Sequence, residues 1–137
     1  MPKTFCLPSM LSICFAAALS AALIAAPAAA QTWPSKPVRV IVPYAGGGGT
    51  DILTRLVGER LQNVLGQSVL VENRPGANGV IGSEIVARAA PDGATVMVVV
   101  GTHVINPFLM KKVPYDALKD FTPVTVIATS PMVLVAG

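Results

Sequence analysis

The residues best suited to bind a ligand lie in a glycine-rich stretch, 44–51, which reads Tyr-Ala-Gly-Gly-Gly-Gly-Thr-Asp. It lies between an apolar β-branched run at 38–42 and a helical pattern that starts at Asp51. Ordering four consecutive glycines is costly, but glycines permit a positive φ and bring backbone amides close to a ligand. The helix that follows adds N–H groups without acceptors and the positive end of its dipole. The stretch therefore predicts an anion-binding loop.

The anion is not expected to be a nucleotide phosphate. A P-loop needs lysine after its last glycine, and here Gly49 is followed by Thr50 and Asp51. The dinucleotide fingerprint G-x-G-x-x-G fails as well, because its last position falls on Asp51 or Ile52. Amides, a hydroxyl donor at Thr50 and an acceptor at Asp51 suit a small carboxylate better.

Asp51 has two interpretations from the sequence. Thr50 or Asp51 is in position to cap the helix N-terminus by accepting a backbone N–H. Alternatively, the Asp51 carboxylate faces a cleft and accepts from a ligand hydroxyl, an ammonium group or an ordered water. Tyr44, just before the glycines, either lines the mouth of that cleft or covers the core.

Other polar residues give weaker signals. His103 is the only histidine, and a lone histidine is more often structural than catalytic. Asn78 and Asn106 carry amides that both donate and accept, and their alternative role is turn formation. No Ser–His–Asp order and no cluster with metal-ligand spacing stands out. We expect no metal and no cofactor.

The elements that position these residues follow a β-α-β-α-β order. Predicted strands cover 38–42, 68–72 and 95–100, and predicted helices cover 51–65 and 80–90, with further strands at 123–128 and 131–136. Such alternation indicates an α/β fold with parallel strands and right-handed crossovers. Loops after the first three strands, the third of them at 102–106, therefore converge at the carboxyl edge of the sheet, where ligands bind in such folds.

The first helix is expected to bury an apolar face against this sheet. Its aliphatic side chains recur at helical spacing. They are Ile52, Leu53, Leu56, Val57, Leu61, Val64 and Leu65. Gly66 is the expected end of the helix.

The N-terminus has the three parts of a secretory signal peptide over residues 1–30: a basic start, an apolar run and small residues before Gln31. A transmembrane anchor is the alternative, but the run is marginal for a span. Both cysteines, Cys6 and Cys14, lie in this segment. Export without disulfides is typical of a bacterial periplasm.

Beyond residue 30 the charges nearly balance, with no basic block, which argues against nucleic acid as a partner.

Several ordered motifs resemble the Bug-type periplasmic solute receptors of tripartite tricarboxylate transporters. They are residues 41–51 (IVPYAGGGGTD), 71–79 (VENRPGANG), 102–107 (THVINP), 114–116 (PYD) and 120–124 (DFTPV). The resemblance implies a two-lobed receptor of the periplasmic binding protein type 2 kind. Such a receptor captures a small organic acid and delivers it to membrane permease subunits, without stable membrane insertion after signal cleavage.

The resemblance also implies three groups of ligand-binding residues. Ala45, Gly48, Gly49, Thr50 and Asp51 would hold the proximal carboxylate, with Tyr44 at the mouth. A second wall would come from Asn78 and Gly79, and a third from Thr102, His103 and Asn106.

This chain is much shorter than members of that family. We therefore expect residues 31–137 to be an incomplete N-terminal ligand-binding lobe, with the second lobe absent from this chain. Two other functions stay open. One is a receptor that signals to a sensor protein, and the other is an exported hydrolase that uses the glycine loop as an oxyanion hole.

Overall fold

A three-stranded parallel sheet forms the centre of the computed structural model, which describes residues 32–131 and 133–135. The strands are β1 (Val38–Val42), β2 (Val69–Asn73) and β3 (Thr95–Met97), in the order β2-β1-β3. Val40 of β1 pairs with Val71 on one side and Val96 on the other. β1 is therefore the central strand, and its β-branched run, interrupted only by Arg39, is typical of a strand covered on both faces. The predicted parallel α/β arrangement is confirmed.

Three helices accompany the sheet: α1 (Gly49–Leu65), α2 (Val80–Ala87) and α3 (Thr102–Leu109). A 3₁₀ turn (Ala77–Gly79) precedes α2. α1 ends as predicted, with Gly66 in the left-handed conformation at φ 64°. None of the helices in the described ranges has the length and apolar character to cross a bilayer. The predicted signal peptide, 1–30, lies outside the described residues.

The rotation of α1 differs from the prediction. Its buried residues are Asp51, Thr54 and Gly58, whereas Leu56 is 59% exposed and Val64 is 82% exposed. A Cβ added at Gly58 would lie 3.4 Å from a methyl of Val69 and 3.5 Å from one of Val71. The helix therefore approaches β2 closely along a narrow polar and glycine strip. The aliphatic face predicted to be buried is mostly exposed because Asp51 and Gly58 are the residues that turn toward the sheet.

The second half of the chain departs further from the prediction. β3 ends at Met97 rather than Val100, and the predicted loop at 102–106 is the beginning of α3. The strands predicted at 123–128 and 131–136 are wrong for the residues that are described there, which form no strand. An isolated extended segment gains no ladder hydrogen bonds, and none of the described strands lies alongside this one.

α2 packs against the end of β1 through Gly82. A Cβ added at Gly82 would lie 2.6 Å from Cβ and 2.9 Å from Cα of Pro43, and 3.0 Å from the carbonyl oxygen of Arg74. These neighbours are backbone or ring atoms, so they cannot rotate away. Only glycine allows α2 to lie this close to the segment that follows β1.

We expect Gly82→Ala to lower the free energy of unfolding by about 1–3 kcal/mol, the usual cost of overpacking, although alanine has the higher helix propensity. Urea denaturation measures the difference. Gly101→Ala is the control, because a Cβ at Gly101 would lie 3.9 Å from its nearest neighbour, the end of Ile105. A Gly82→Ala protein as stable as the Gly101→Ala protein would contradict the close approach.

Candidate carboxylate site

Three segments meet at the carboxyl edge of the sheet. They are the glycine loop (residues 44–48) after β1, the turn at 74–79 after β2, and the N-terminus of α3, which follows β3. Hydrogen bonds connect the glycine loop to α3, the end of β2 to the glycine loop, and the turn to α3. The Tyr44 hydroxyl lies 2.8 Å from Thr102 Oγ1, Asn73 Nδ2 donates to the Tyr44 carbonyl at 3.2 Å, and Asn78 Nδ2 donates to Asn106 Oδ1 at 2.7 Å. The structure thus brings together the loops that the sequence predicted to converge.

The glycine loop leads directly into the N-terminus of α1. Gly47 has a φ of 82°, which disfavours residues with a Cβ. Ile52 donates to the Gly48 carbonyl at 3.0 Å, and this is the first hydrogen bond of the helix. The N–H groups of Gly49, Thr50 and Asp51 lie before this bond, so the helix provides no acceptor for them. With the positive end of a 17-residue helix behind them, the amides at this exposed corner favour an anion.

The Asp51 carboxylate is directed into the protein rather than toward solvent, with 4% of the residue exposed. Oδ2 accepts from the Gly47 N–H at 2.8 Å, and Oδ1 accepts from Asn73 Nδ2 at 3.0 Å. Arg55 Nη2 also lies 3.0 Å from Oδ1. Three hydrogen bonds lower the pKa of Asp51 to about 2: the largest effect comes from the Gly47 N–H, the next from Arg55 and the third from Asn73. Asp51 is therefore an ionised carboxylate that holds the loop.

The predicted helix cap needs correction. Gly48, not Thr50 or Asp51, is the N-cap residue, and it has no side chain with which to cap. Asp51 is the third residue of α1 and reaches back to the N–H of Gly47. This resembles the backward half of a capping box, in which the side chain at the third position accepts from the N-cap N–H, but here the acceptor reaches one residue further back.

Asn73 was missed as a site residue by the sequence analysis. It is the last residue of β2, it donates to Tyr44 and Asp51, and its Oδ1 accepts from Arg55 at 2.8 Å. One available signal was its position, since it is a polar residue at the carboxyl end of a strand next to the glycine-loop strand.

The second predicted wall has an unusual backbone. Asn78 has a φ of 55° and Gly79 a φ of 91°, so two successive residues adopt left-handed conformations. Asn106 Nδ2 donates to the Asn78 carbonyl at 2.9 Å while its Oδ1 accepts from the Asn78 amide. Asn106 is fully buried and Asn78 is exposed. Asn106 therefore supports the turn from below, and Asn78 presents a side chain at the surface.

Thr102 begins the third predicted wall and is tied to the glycine loop through Tyr44. The Tyr44 hydroxyl also accepts from the backbone N–H of Val100 at 3.3 Å. The residue is half-buried, and it connects the end of β1 to the segment after β3.

His103 lies in a buried aromatic cluster. Its ring stacks on Tyr115 with centroids 5.0 Å apart and contacts Phe121 edge-on at 4.7 Å. Nδ1 lies 3.1 Å from Ser83 Oγ, and burial lowers the pKa of the imidazole, which favours the neutral ring. The geometry favours the structural interpretation of His103, because its side chain packs α3 onto α2 and the Tyr115 segment.

A cavity of about 380 Å³ lies between α3 and the segment from Tyr115 to Leu118. Its lining includes Val104 and Phe108 and is mostly apolar. None of the predicted ligand-binding residues lines it, and it offers no set of donors for an anion. The candidate site is therefore the polar corner at the glycine loop rather than this cavity.

Comparisons with known proteins agree on one class of protein. A family model described as "Tripartite tricarboxylate transporter family receptor" matches residues 53–137. Protein BugT of Bordetella pertussis is 41% identical over 121 residues, which are 87% of this chain and 37% of BugT.

Two similar solved structures come from Rhodopseudomonas palustris. MatC, solved with bound malate, is 44% identical with a TM-score of 0.63, over 67% of this chain and 32% of MatC. Rpa4515, solved with adipate, is 40% identical with a TM-score of 0.64, over 67% of this chain and 31% of that chain. The chain thus spans between 31% and 37% of the lengths of these three proteins.

The environment of Asp51 predicts a specific pH dependence of stability. A carboxyl whose folded-state pKa is below its unfolded value stabilises the fold above the unfolded pKa, and this contribution is lost as the pH falls toward the folded value. Asp51→Asn should therefore be less stable than the parent chain at pH 6, and the gap should narrow as the pH falls from about 5 to about 2.

Urea denaturation at a series of pH values measures this gap. Glu59→Gln, which removes an exposed carboxylate from the same helix, is the control for the change in net charge. A gap between Asp51→Asn and the parent chain that stays constant down to pH 2 would show that the Asp51 charge does not hold the loop.

Proposed function

Because the chain belongs to the family of tripartite tricarboxylate transporter receptors, we propose that it forms the carboxylate-gripping part of a periplasmic solute receptor. The resemblance of the motifs to Bug-type receptors is confirmed by these matches, and the fold is that of periplasmic solute-binding proteins. Receptors of this family bind small carboxylates and work with tripartite transporters. In the proposed function, the receptor captures a small organic acid and delivers it to membrane permease subunits.

One observation carries this proposal: the exposed N-terminus of α1, preceded by the glycine loop. The N–H groups of Gly49 and Thr50 and the helix dipole offer a carboxylate both hydrogen bonds and a favourable potential. The Arg55 guanidinium, 3.0 Å from Asp51 Oδ1, offsets the nearby Asp51 charge and so reduces its repulsion of an anion, while Gly47 and Asn73 keep the carboxylate directed inward. A carboxylate needs no lysine or arginine in direct contact at such a site.

The remaining predicted residues have two proposed roles: some contact the ligand, and others hold the walls of the site in place. We propose that Ala45, Gly48, Asn78 and Thr102 contribute to ligand contact, with Tyr44 setting the distance between the first and third walls. Gly79 is buried beside Pro43, so its proposed role is to shape the second wall. Asn106 and His103 have buried side chains. Their proposed role is therefore to hold the second wall and α3 in place.

The organisation of the whole receptor is part of the proposal. We propose that residues 1–30 direct export and that residues 31–137 belong to the N-terminal lobe of a two-lobed receptor. The share of BugT, MatC and Rpa4515 that this chain spans supports that assignment. A second lobe would close over the bound carboxylate and exclude water.

The hydrolase alternative gains little from the geometry. Ser83 and His103 lie within 3.1 Å of each other, a spacing that a nucleophile and its base would have. However, Ser83 is 1% exposed and His103 is 7% exposed, and the ring is enclosed by Tyr115 and Phe121. A substrate would have no access to this pair, so we assign no enzymatic role.

Binding is tested by calorimetry and thermal shift with malate, adipate and acetate, and with sulfate as the non-carboxylate comparison. A carboxylate present at 100 times its Kd should raise the free energy of unfolding by about 2.7 kcal/mol. The decisive variant is Gly49→Asp, since a Cβ there meets no atom within 4 Å. Its added charge should stabilise the helix by about 0.3–1 kcal/mol and repel the carboxylate.

Gly49→Ala is the matched control, because it keeps the amide without adding charge. We expect binding to be lost in Gly49→Asp and largely retained in Gly49→Ala, with neither protein destabilised. If none of these carboxylates binds to the parent chain, or if Gly49→Asp binds as well as Gly49→Ala, the proposed grip is wrong.

A further inference from the structure

Among the described hydrogen bonds, Asn73 is the one residue that contacts both the start of the glycine loop and the first turn of α1, which follows the loop. Its Nδ2 donates to the Tyr44 carbonyl at 3.2 Å, where the loop begins, and to Asp51 Oδ1 at 3.0 Å, where the loop has entered α1. Asn73 itself is fixed by the sheet, since it is paired with Val42 in the β1–β2 register. It therefore connects the loop to the central strand pair of the sheet.

The effect of Asn73 extends to the middle of the loop through Asp51. One oxygen of Asp51 accepts from Asn73, and the other accepts from the N–H of Gly47 at 2.8 Å. Gly47 is the loop residue with a φ of 82°, so this chain of hydrogen bonds secures the left-handed step. That step decides the direction in which the following amides point.

Arg55 fixes which way the Asn73 amide faces. Its Nη2 donates to Asn73 Oδ1 at 2.8 Å and lies 3.0 Å from Asp51 Oδ1. With the amide oxygen facing the guanidinium, the amide nitrogen faces the Asp51 carboxylate and the Tyr44 carbonyl. Both are acceptors, so the reversed orientation would place oxygen against oxygen.

We propose that Asn73 is a positioning residue for carboxylate binding: through Tyr44 and Asp51 it holds the glycine loop in its anion-accepting conformation without touching the ligand. The inference rests on the function proposed above, because a loop conformation matters only if the loop binds an anion. A purely structural asparagine would affect the stability of the fold without a specific effect on the loop amides.

The first test compares Asn73→Ala with Asn63→Ala, which removes an exposed asparagine from α1. Malate and adipate are the probes, and calorimetry gives their Kd. Asn73→Ala should weaken binding about tenfold or more, since it removes hydrogen bonds that include one to a carboxylate. Amide hydrogen exchange at Gly47 should be faster in Asn73→Ala by a similar factor, and both quantities should be unchanged in Asn63→Ala.

The second test uses Asn73→Asp, which keeps the shape but replaces the donor with an acceptor. At pH 8 the new carboxylate faces Asp51 and repels it, whereas at acidic pH two neighbouring carboxyls share a proton, which again supplies a donor. We expect the Kd ratio of Asn73→Asp to the parent chain to be about tenfold or more at pH 8 and to fall toward one near pH 4.5. Each ratio is taken at a single pH, because the probes titrate too.

The outcomes separate this inference from the proposed function. If the parent chain binds neither probe, the proposed function fails, and Gly47 exchange alone decides whether Asn73 orders the loop. Unchanged Gly47 exchange in Asn73→Ala overturns the inference. The inference is also overturned if Asn73→Asp weakens binding equally at pH 8 and pH 4.5, or if this variant loses cooperative unfolding at both pH values.

Discussion

The Asp51 carboxylate is ionised and almost completely enclosed, and a charge in that position requires hydrogen-bond donors from its surroundings. The donors come from the glycine loop at Gly47, from β2 at Asn73 and from the next turn of α1 at Arg55. Satisfying one charge thus fixes the relative positions of a loop, a strand and a helix. The same requirement sets the rotation of α1, because the turn that carries Asp51 must face the sheet.

This arrangement separates the charge that organises the site from the N–H groups that we propose bind the anion. A carboxylate beside an anion site would ordinarily repel the ligand. Here Asp51 is directed inward and is compensated by Arg55, so the N–H groups at the start of α1 and the helix dipole determine the outward potential. Glycine allows this, since Gly47 in the left-handed conformation lets the loop fold back toward Asp51, the third residue of α1.

Much of the architecture could be predicted from local sequence. The β-branched run at 38–42, the alternation of strands and helices, and Gly66 as a helix end are determined by short-range preferences, and the structure follows them. The convergence of the three segments at one edge also followed, because parallel strands place their carboxyl ends together. The glycine loop was predicted to bind an anion for a different reason, its position before a helix N-terminus, and that stays a prediction.

The rest depended on contacts between residues distant in sequence. Aliphatic periodicity in α1 predicted the wrong buried face, because the tertiary contacts of Asp51 and Gly58 override it. Asn73 lies 22 residues from Asp51, and spacing does not reveal such a pair. The aromatic cluster around His103 depends on Tyr115 and Phe121, which no local pattern connects to it. The run at 123–128 has strand propensity, but propensity does not supply a neighbouring strand.

The left-handed Gly47 and the amides that follow it have a consequence for how such receptors diversify. Every residue except proline has a main-chain N–H, so recognition of a carboxylate by these groups would not depend on the side chains that a mutation exchanges. MatC was solved with a four-carbon hydroxy diacid and Rpa4515 with a six-carbon diacid, although both are 40% or more identical to this chain over the aligned residues. A main-chain grip can be inherited unchanged while ligand preference is altered elsewhere in the molecule.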